Sequence, residues 1–158
     1  MQAINAQRKA FLDMLAWSEG TDKPGQPTKN HGYDVIVGGS LFTSYADHPR
    51  KLVTLNPRLK STAAGRYQLL SRYWDTYRSQ LGLKDFSPDS QDAVALQQIK
   101  ERRALQLIDE GYILQAIDRC SNIWASLPGA GYGQHEHRIE NLLKKFKEAG
   151  GFVTEPKS

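Results

Sequence analysis

An apolar helical pattern that ends in a carboxylate constrains the fold of the first part of the chain. Within residues 11–20, Leu12, Leu15 and Glu19 stand at positions i, i+3 and i+7, a spacing that puts the three side chains on one face of a helix. Gly20 follows, and a glycine just past the last periodic residue can take the left-handed conformation with which many helices end. The pattern predicts a helix from about residue 5 or 6 to Glu19, with the carboxylate on its apolar face.

The predicted position of Glu19 has a chemical consequence. Partial burial removes water from a carboxylate, and the C-terminus of a helix presents a partial negative charge to it. Both effects raise the pKa of Glu19 and favour the protonated carboxyl, which can act as a general acid on the leaving oxygen of a glycoside. The alternative is a solvated glutamate in the last turn of a surface helix, without a role in chemistry.

Composition indicates a globular protein. The chain has 158 residues, of which 39% are hydrophobic and 24% charged, and these values are typical of one soluble domain with its own core. No segment is long and apolar enough to cross a membrane, and Asp13 interrupts the apolar run near the N-terminus, so we expect neither a signal peptide nor stable membrane association. Cys120 is the single cysteine and is expected in the core, without a disulfide. These features predict a protein that is made and stays in a cytoplasm.

The charge of the chain favours an anionic partner. It carries 21 Lys and Arg against 17 Asp and Glu, for a net charge of +4, which suits either nucleic acid or an acidic polymer such as a cell wall. The basic residues are scattered, and their densest groups, at 100–103 and 144–147, are broken or followed by glutamates. Because no nucleic-acid motif accompanies them, we expect no nucleic-acid partner.

Residues 21–60 are predicted to form a small β-lobe between helices. The polar stretch 21–30, which is rich in proline and glycine, indicates a loop. Residues 33–37 are apolar and β-branched and lie between glycines, so they predict a short strand, with 41–45 as a possible partner. A third candidate strand covers 51–55.

Most of the remaining chain is predicted to be helical. Ser61 or Thr62 is the expected N-cap of a helix that continues to Leu81 and ends at Gly82. The other predicted helices are one that starts at Ser87 and Pro88, a short one before Gly111, one over residues 113–120 and a last one that ends near Gly150, followed by a loose tail.

Motifs for other kinds of chemistry are weak. The glycine-rich run 129–133 does not match a dinucleotide or phosphate-binding motif and is interpreted as a loop, in which Tyr132 is a candidate stacking surface for a sugar ring. His135 and His137 stand two residues apart, whereas two zinc ligands on one helix face must stand four apart. We therefore predict no metal site.

Asp34 is the best candidate for a second carboxylate beside Glu19. A glycoside hydrolase of the usual kind needs a second acid at about 5 Å as nucleophile, or at roughly 6.5–9.5 Å as the base for water. Asp34 lies in the predicted strand 33–37, and its alternative role is that of an outward-facing strand residue.

Three segments together resemble the endolysins of lambdoid bacteriophages: residues 17–21, 30–39 and 61–70. Residues 87–99 and 121–129 extend the resemblance to nearly the whole chain. It implies a lysozyme-like α+β fold with a saccharide cleft between two loops, at about 50–60 and 128–141. It also implies a lytic transglycosylase that cuts the β-1,4 bond between N-acetylmuramic acid and N-acetylglucosamine in peptidoglycan and forms 1,6-anhydromuramic acid, without a cofactor.

The resemblance also implies roles for individual residues. Glu19 would be the sole catalytic acid. Residues 65–68 resemble the Gly-Leu-Met-Gln motif of the wider transglycosylase group, which places Gln68 at the saccharide, together with Ser61 or Tyr67. The candidates for saccharide contact, by motif or by loop position, are Asp34, Ser61, Tyr67, Gln68 and Tyr132.

Partners follow from the same resemblance, and two other functions remain open. We expect a monomer that acts on peptidoglycan glycan strands and leaves the host cytoplasm through a membrane lesion made by a separate phage holin. One alternative is a true muramidase that uses Glu19 with Asp34. The other is a non-enzymatic basic module that binds the wall or nucleic acid, which the dispersed basic residues disfavour.

Overall fold

A computed structural model describes residues 3–128 and 137–154. Within this part of the chain, Glu19–Val94 form one compact unit, and residues 3–18 together with 95–128 and 137–154 form a second. The helices and strands are α1 (Ala6–Ser18), β1 (Val53–Asn56), β2 (Leu59–Ser61), α2 (Ser71–Leu81), α3 (Pro88–Glu101), α4 (Leu105–Glu110), α5 (Ile113–Cys120) and α6 (Ile139–Glu148).

The β-structure of the first unit is less regular than predicted. Residues 33–37 and 41–45 do not form a pair of strands, because they meet at a single bridge between Val35 and Leu41. Gly38 and Gly39 have φ angles of +92° and +105°, which form the tight turn between the two segments.

The third candidate strand is confirmed as β1. It pairs antiparallel with β2, with Val53 opposite Ser61 and an irregularity between Thr54 and Asn56. β2 is not among the predicted strands: residues 59 and 60 fall within the predicted β-lobe without a strand of their own, and Ser61 is one of the two expected N-caps.

The predicted start of α2 is wrong by about nine residues. Ala64 and Leu69 exchange two backbone hydrogen bonds of 3.0 and 2.9 Å and so close a loop over residues 65–68. Gly65 and Gln68 have positive φ angles, +86° and +54°, which a right-handed helix cannot contain. The helix therefore begins only at Ser71.

The capping residues of α2 nevertheless act as caps. The Thr62 hydroxyl oxygen accepts a hydrogen bond of 3.0 Å from the backbone N–H of Ser71, which is an unpaired donor of the first helical turn. Thr62 thus caps α2 across the intervening loop. At the other end Gly82 has a φ of +66° and donates to the carbonyls of Arg78 and Ser79, as the sequence predicts.

The core of the first unit surrounds two buried aromatic rings. Trp74 and Phe86 are both fully buried, and their rings meet edge to face with centroids 5.0 Å apart. Such a pair contributes about 0.5–1.5 kcal/mol beyond the burial of its area. Ala64, Leu69 and Val94 complete the cluster, so the loop over residues 65–68 is anchored in the core at both ends.

His48 packs on this core as a neutral ring. It is buried, and its Nδ1 accepts a 2.9 Å hydrogen bond from the backbone N–H of Arg50. The proton therefore sits on Nε2, which donates to the carbonyl of Leu69 at 2.8 Å. Burial lowers the pKa of His48 below its ordinary value of 6.5.

We expect His48 to make the protein less stable in mild acid. The unfolded chain binds a proton on His48 below about pH 6.5, whereas the folded protein resists it, so the free energy of unfolding falls as the pH drops below that value. His48→Gln keeps one donor and one acceptor and should remove this part of the pH dependence. Chemical denaturation at several pH values measures both proteins, and an unchanged pH dependence in the variant would contradict the assignment.

α3 begins as predicted. Pro88 is its first residue, and the Ser87 hydroxyl oxygen accepts a hydrogen bond from the backbone N–H of Ser90 at 3.4 Å. This is the N-cap geometry expected of a serine before a first-turn proline.

The second unit is a group of packed helices. α1 packs against α4 and α6, and α5 packs against the same two helices. Phe11 and Leu15 of α1 are fully buried, as the apolar pattern predicts. Cys120 of α5 is buried too, and burial raises the pKa of its thiol to about 12, so it is a core residue rather than a nucleophile.

The segment after α6 is held in place as far as Thr154, contrary to the prediction of a loose tail beyond Gly151; residues 155–158 lie outside the described residues. The Gln7 side chain accepts a hydrogen bond from the N–H of Phe152 at 2.7 Å and donates to its carbonyl at 3.0 Å. The backbone N–H of Thr154 donates to the carbonyl of Gly111 at 2.8 Å. Residues 151–154 therefore belong to the folded second unit. None of the helices in the described ranges has the length and apolar character to span a membrane.

Candidate active site

Glu19 is the first residue after α1. The helix ends at Ser18, within one residue of the prediction, and Gly20 has the expected positive φ, +80°. As a whole residue, Glu19 is half-buried. The raised pKa of Glu19 stays a prediction.

Thr21 fixes the segment that follows Glu19. It is 1% exposed, and its hydroxyl donates a 2.6 Å hydrogen bond to the carbonyl oxygen of Arg66. Gly32 lies directly against the backbone of Thr21, since a Cβ on Gly32 would come within 2.8 Å of the Thr21 carbonyl atoms. Two residues beyond Glu19, the chain is thus held on both sides.

Arg66 is buried and uses every branch of its guanidinium group. Its Nε donates to the carbonyl of His31 at 2.9 Å, its Nη1 to the hydroxyl of Tyr67 at 3.0 Å, and its Nη2 to the carboxylate of Asp22 at 3.1 Å. The backbone N–H of Arg66 donates to the side-chain oxygen of Gln91 at 2.9 Å. A buried guanidinium needs such partners, because an unpaired charge away from water is costly.

Asp92 is the acidic centre of the same network. It accepts hydrogen bonds from the hydroxyls of Tyr67, at 2.6 Å, and Tyr33, at 2.9 Å. Burial raises the pKa of Asp92 above its ordinary value, and it raises the pKa of Tyr33 to about 12 and that of Tyr67 well above 10. Both tyrosines therefore stay neutral, and their hydroxyls donate hydrogen bonds to Asp92.

Tyr67 is less accessible than a saccharide contact would be. It is 5% exposed, and its hydroxyl is engaged by Arg66 and Asp92. This arrangement favours a supporting role over the direct contact that the resemblance implies, which stays a prediction.

Gln68 is oriented by the loop that contains it. Its side-chain NH2 group donates to the carbonyls of Gly65, at 2.9 Å, and Val35, at 3.3 Å. Because both neighbours are acceptors, the amide nitrogen must face them, and Oε1 remains to accept a further hydrogen bond. Gln68 is half-buried, and the structure shows no partner for Oε1 within residues 3–128 and 137–154.

Ser61 lies at the end of β2, four residues before this loop. It is half-buried, and its hydroxyl oxygen accepts a 3.1 Å hydrogen bond from the N–H of Ala63. The hydroxyl proton remains for a donor role toward a ligand.

Asp34 is neither outward-facing nor part of a strand, so that alternative is wrong. It is 5% exposed, and its two oxygens accept hydrogen bonds from the Thr28 hydroxyl, at 2.5 Å, and the Lys29 N–H, at 3.1 Å. The Thr28 hydroxyl oxygen in turn accepts from the N–H of Gly32 at 2.7 Å. Asp34 thus closes the loop before it, which favours a structural role over that of a second catalytic carboxylate or a substrate contact; both chemical roles stay predictions.

Tyr132 lies outside the described residues, as does His135. His137 is described: its Nε2 lies 3.1 Å from the carbonyl oxygen of Ser18, and its ring lies 4.5 Å from that of Trp17. Among residues 3–128 and 137–154, no group of three or more His, Cys, Asp or Glu side chains is placed to hold a metal ion.

The family of the protein follows from comparison with known sequences. The family model for endolysins matches residues 9–153. The chain belongs to the endolysin family. The endolysin of Escherichia phage lambda is 79% identical over 155 residues, which cover 98% of this chain and 98% of that protein. The endolysin of Escherichia phage P2 is 55% identical over 164 residues, covering 96% and 98%.

Solved structures confirm the α+β, lysozyme-like fold of this endolysin. The lysozyme of bacteriophage lambda, solved in complex with a chitohexasaccharide, superposes with a TM-score of 0.97 at 79% identity and covers 98% of this chain and 100% of that one. A second structure of the lambda lysozyme gives a TM-score of 0.92 at 77% identity, with the same coverage.

The network around Arg66 is what sequence reasoning missed in this endolysin. Arg66 and Tyr67 stand out as departures from the Gly-Leu-Met-Gln motif, and that departure is the one signal in the sequence for a polar network. Thr21 and Asp92 carry no comparable signal, because the sequence pattern of a helix or loop does not distinguish a buried polar side chain from an exposed one.

Proposed function

We propose that this endolysin is a lytic transglycosylase in which Glu19 is the sole catalytic acid. Its family makes the protein a bacteriolytic enzyme that cleaves peptidoglycan and lyses the host, and the saccharide in the lambda lysozyme structure supports a glycan as the substrate. The observation that carries the proposal is the place of Glu19, a half-buried carboxyl at the end of α1 beside the clamped residue Thr21.

In the proposed reaction Glu19 acts twice. The protonated carboxyl donates its proton to the glycosidic oxygen, the bond to C1 of N-acetylmuramic acid breaks, and N-acetylglucosamine leaves with a 4-hydroxyl group. The ionised carboxylate then takes the proton of the C6 hydroxyl of the muramic acid, and O6 forms a bond with C1. Glu19 is protonated again, the product is a 1,6-anhydro ring, and no water is consumed.

This mechanism needs no second carboxylate, which agrees with the position of Asp34. Both oxygens of Asp34 accept hydrogen bonds from the loop before it, so neither is disposed as a nucleophile toward a sugar. A muramidase would require such a group for the nucleophile or the water. The substrate's own C6 hydroxyl supplies the nucleophile instead.

We assign saccharide contacts to Gln68 and Ser61. The Oε1 of Gln68 can accept a hydrogen bond from a sugar hydroxyl or an N-acetyl N–H, since the NH2 group is already bound to Gly65 and Val35. The Ser61 hydroxyl can donate to a sugar oxygen. In this assignment Tyr67 supports Arg66 from within the first unit.

The fate of the protein in the host is proposed from its family. It acts as a monomer, accumulates in the host cytoplasm, and reaches the periplasmic peptidoglycan after a separate phage holin has permeabilised the membrane.

We expect the muropeptides released by this enzyme to end in 1,6-anhydromuramic acid. Purified peptidoglycan is digested, and the products are weighed by mass spectrometry; the anhydro product is lighter than the hydrolytic one by one water molecule. Reducing-end muramic acid as the main product would overturn the proposal and make the protein a hydrolase.

A further inference from the structure

We infer that Thr21 and Arg66 are positioning residues for Glu19, and that the buried network around Arg66 exists to hold them. The inference rests on the proposed role of Glu19 as the catalytic acid. In the proposed reaction neither residue gives or takes a proton; they act through the backbone that carries Glu19.

The connection between Glu19 and Thr21 is short. Glu19 follows directly on the last residue of α1. On its C-terminal side only Gly20 separates it from Thr21, whose hydroxyl is bound to the Arg66 carbonyl at 2.6 Å. Gly20 has a positive φ and little resistance to rotation, so the anchor at Thr21 decides where the chain after Glu19 goes.

The Arg66 carbonyl, which accepts the hydrogen bond from Thr21, is itself held at several points. The Arg66 carbonyl lies in the loop that the Ala64 and Leu69 pair closes. The N–H of the same residue is bound to the Gln91 side chain at 2.9 Å, and Gln91 also donates to the carbonyl of Phe86 at 3.0 Å. An acceptor held at so many points changes little when a substrate binds.

The Arg66 side chain is part of a buried charged network. The Arg66 guanidinium binds Asp22 directly, and Tyr67 connects it to Asp92. Removal of one member of a buried charged network leaves its partner uncompensated, so substitution of Arg66 endangers the fold as a whole. The Thr21 hydroxyl is itself uncharged, so its removal takes no charge out of the network, and Thr21 is therefore the informative position.

Two substitutions at Thr21 test the inference. Thr21→Val keeps the shape and removes the hydroxyl, while Thr21→Ser keeps the hydroxyl. We expect Thr21→Val to lower kcat on purified glycan strands by about 10- to 100-fold with KM within about twofold of the native value, because a misplaced catalytic group loses rate rather than binding. Thr21→Ser should restore most of kcat.

Gln7→Met is the matched control for stability. It also removes buried hydrogen bonds, those to Ile108 and Phe152 in the second unit, and circular dichroism gives the folded fraction of each variant at the assay temperature. Gln7→Met should keep the native kcat per folded molecule. If both variants lose kcat equally, or if Thr21→Val keeps the native kcat while Glu19→Gln is inactive, the positioning role is refuted. Full activity of Glu19→Gln would instead refute the proposed function itself.

Discussion

Glu19→Gln should lose essentially all lytic activity, with kcat reduced by about 10³-fold or more. General acid catalysis contributes about 10²–10⁴-fold, and the proposed reaction uses the same carboxyl as acid and then as base, so the amide loses both steps. Glutamine has nearly the same shape and the side chain is half-buried, so the free energy of unfolding should change by less than about 1 kcal/mol. Turbidity loss of a peptidoglycan suspension measures the activity, and denaturant titration measures the stability.

Asp34→Asn tests whether the reaction needs a second carboxylate. The amide turns one hydrogen-bond acceptor into a donor that faces the Thr28 hydroxyl or the Lys29 N–H, so we expect a loss of stability of about 1–3 kcal/mol with kcat per folded molecule close to native. If Asp34→Asn were as inactive as Glu19→Gln, the single-carboxyl mechanism would be wrong. Near-native lysis by Glu19→Gln would be decisive against it as well.

Gly32→Ala should impair both stability and activity. A methyl group on Gly32 would lie 2.8 Å from the carbonyl carbon and oxygen of Thr21, and the φ of Gly32 is +90°. The backbone strain and the forced movement of Thr21 together should cost about 3 kcal/mol of stability. Because Thr21 is two residues from Glu19, kcat per folded molecule should fall by about 10-fold or more.

Gly25→Ala is a control that separates the effect of backbone strain from that of the contact with Thr21. Gly25 has nearly the same φ, +91°, but nothing lies within 4 Å of the position that its Cβ would take. It should show only the smaller loss of stability that comes from the positive φ, about 1–2 kcal/mol, and full activity. Equal behaviour of the two alanine variants, in thermal denaturation and lysis assays, would show that the contact between Gly32 and Thr21 is unimportant.

Several helix ends could be predicted because their causes are local. Gly20, Gly82 and Gly111 all have positive φ angles and follow the last turn of a helix. Ser87 with Pro88 marks the start of α3. Each of these signals acts within one helical turn of the residue that carries it, so a single sequence contains all of it.

Two of the wrong predictions have a common cause in contacts between distant segments. Thr62 is a suitable cap, but it caps a helix that begins nine residues later, because the core holds Ala64 and Leu69 and the loop between them. Gly150 ends α6 as predicted, yet the segment after it is ordered by the side chain of Gln7, 145 residues earlier.

By itself the sequence determined the helical stripes and the acid at the end of α1, which depend on residue type at short spacing, where propensity and periodicity dominate. The family followed from the resemblance of several segments, which together cover nearly the whole chain. Only the tertiary structure decided that Asp34 and Tyr67 are buried and that Arg66 connects Thr21 to Asp92. The hydrogen bond between Thr21 and Arg66 spans 45 residues, and that between Tyr33 and Asp92 spans 59. A buried polar group is stable only with its partners in place, and which partners meet is a property of the folded chain.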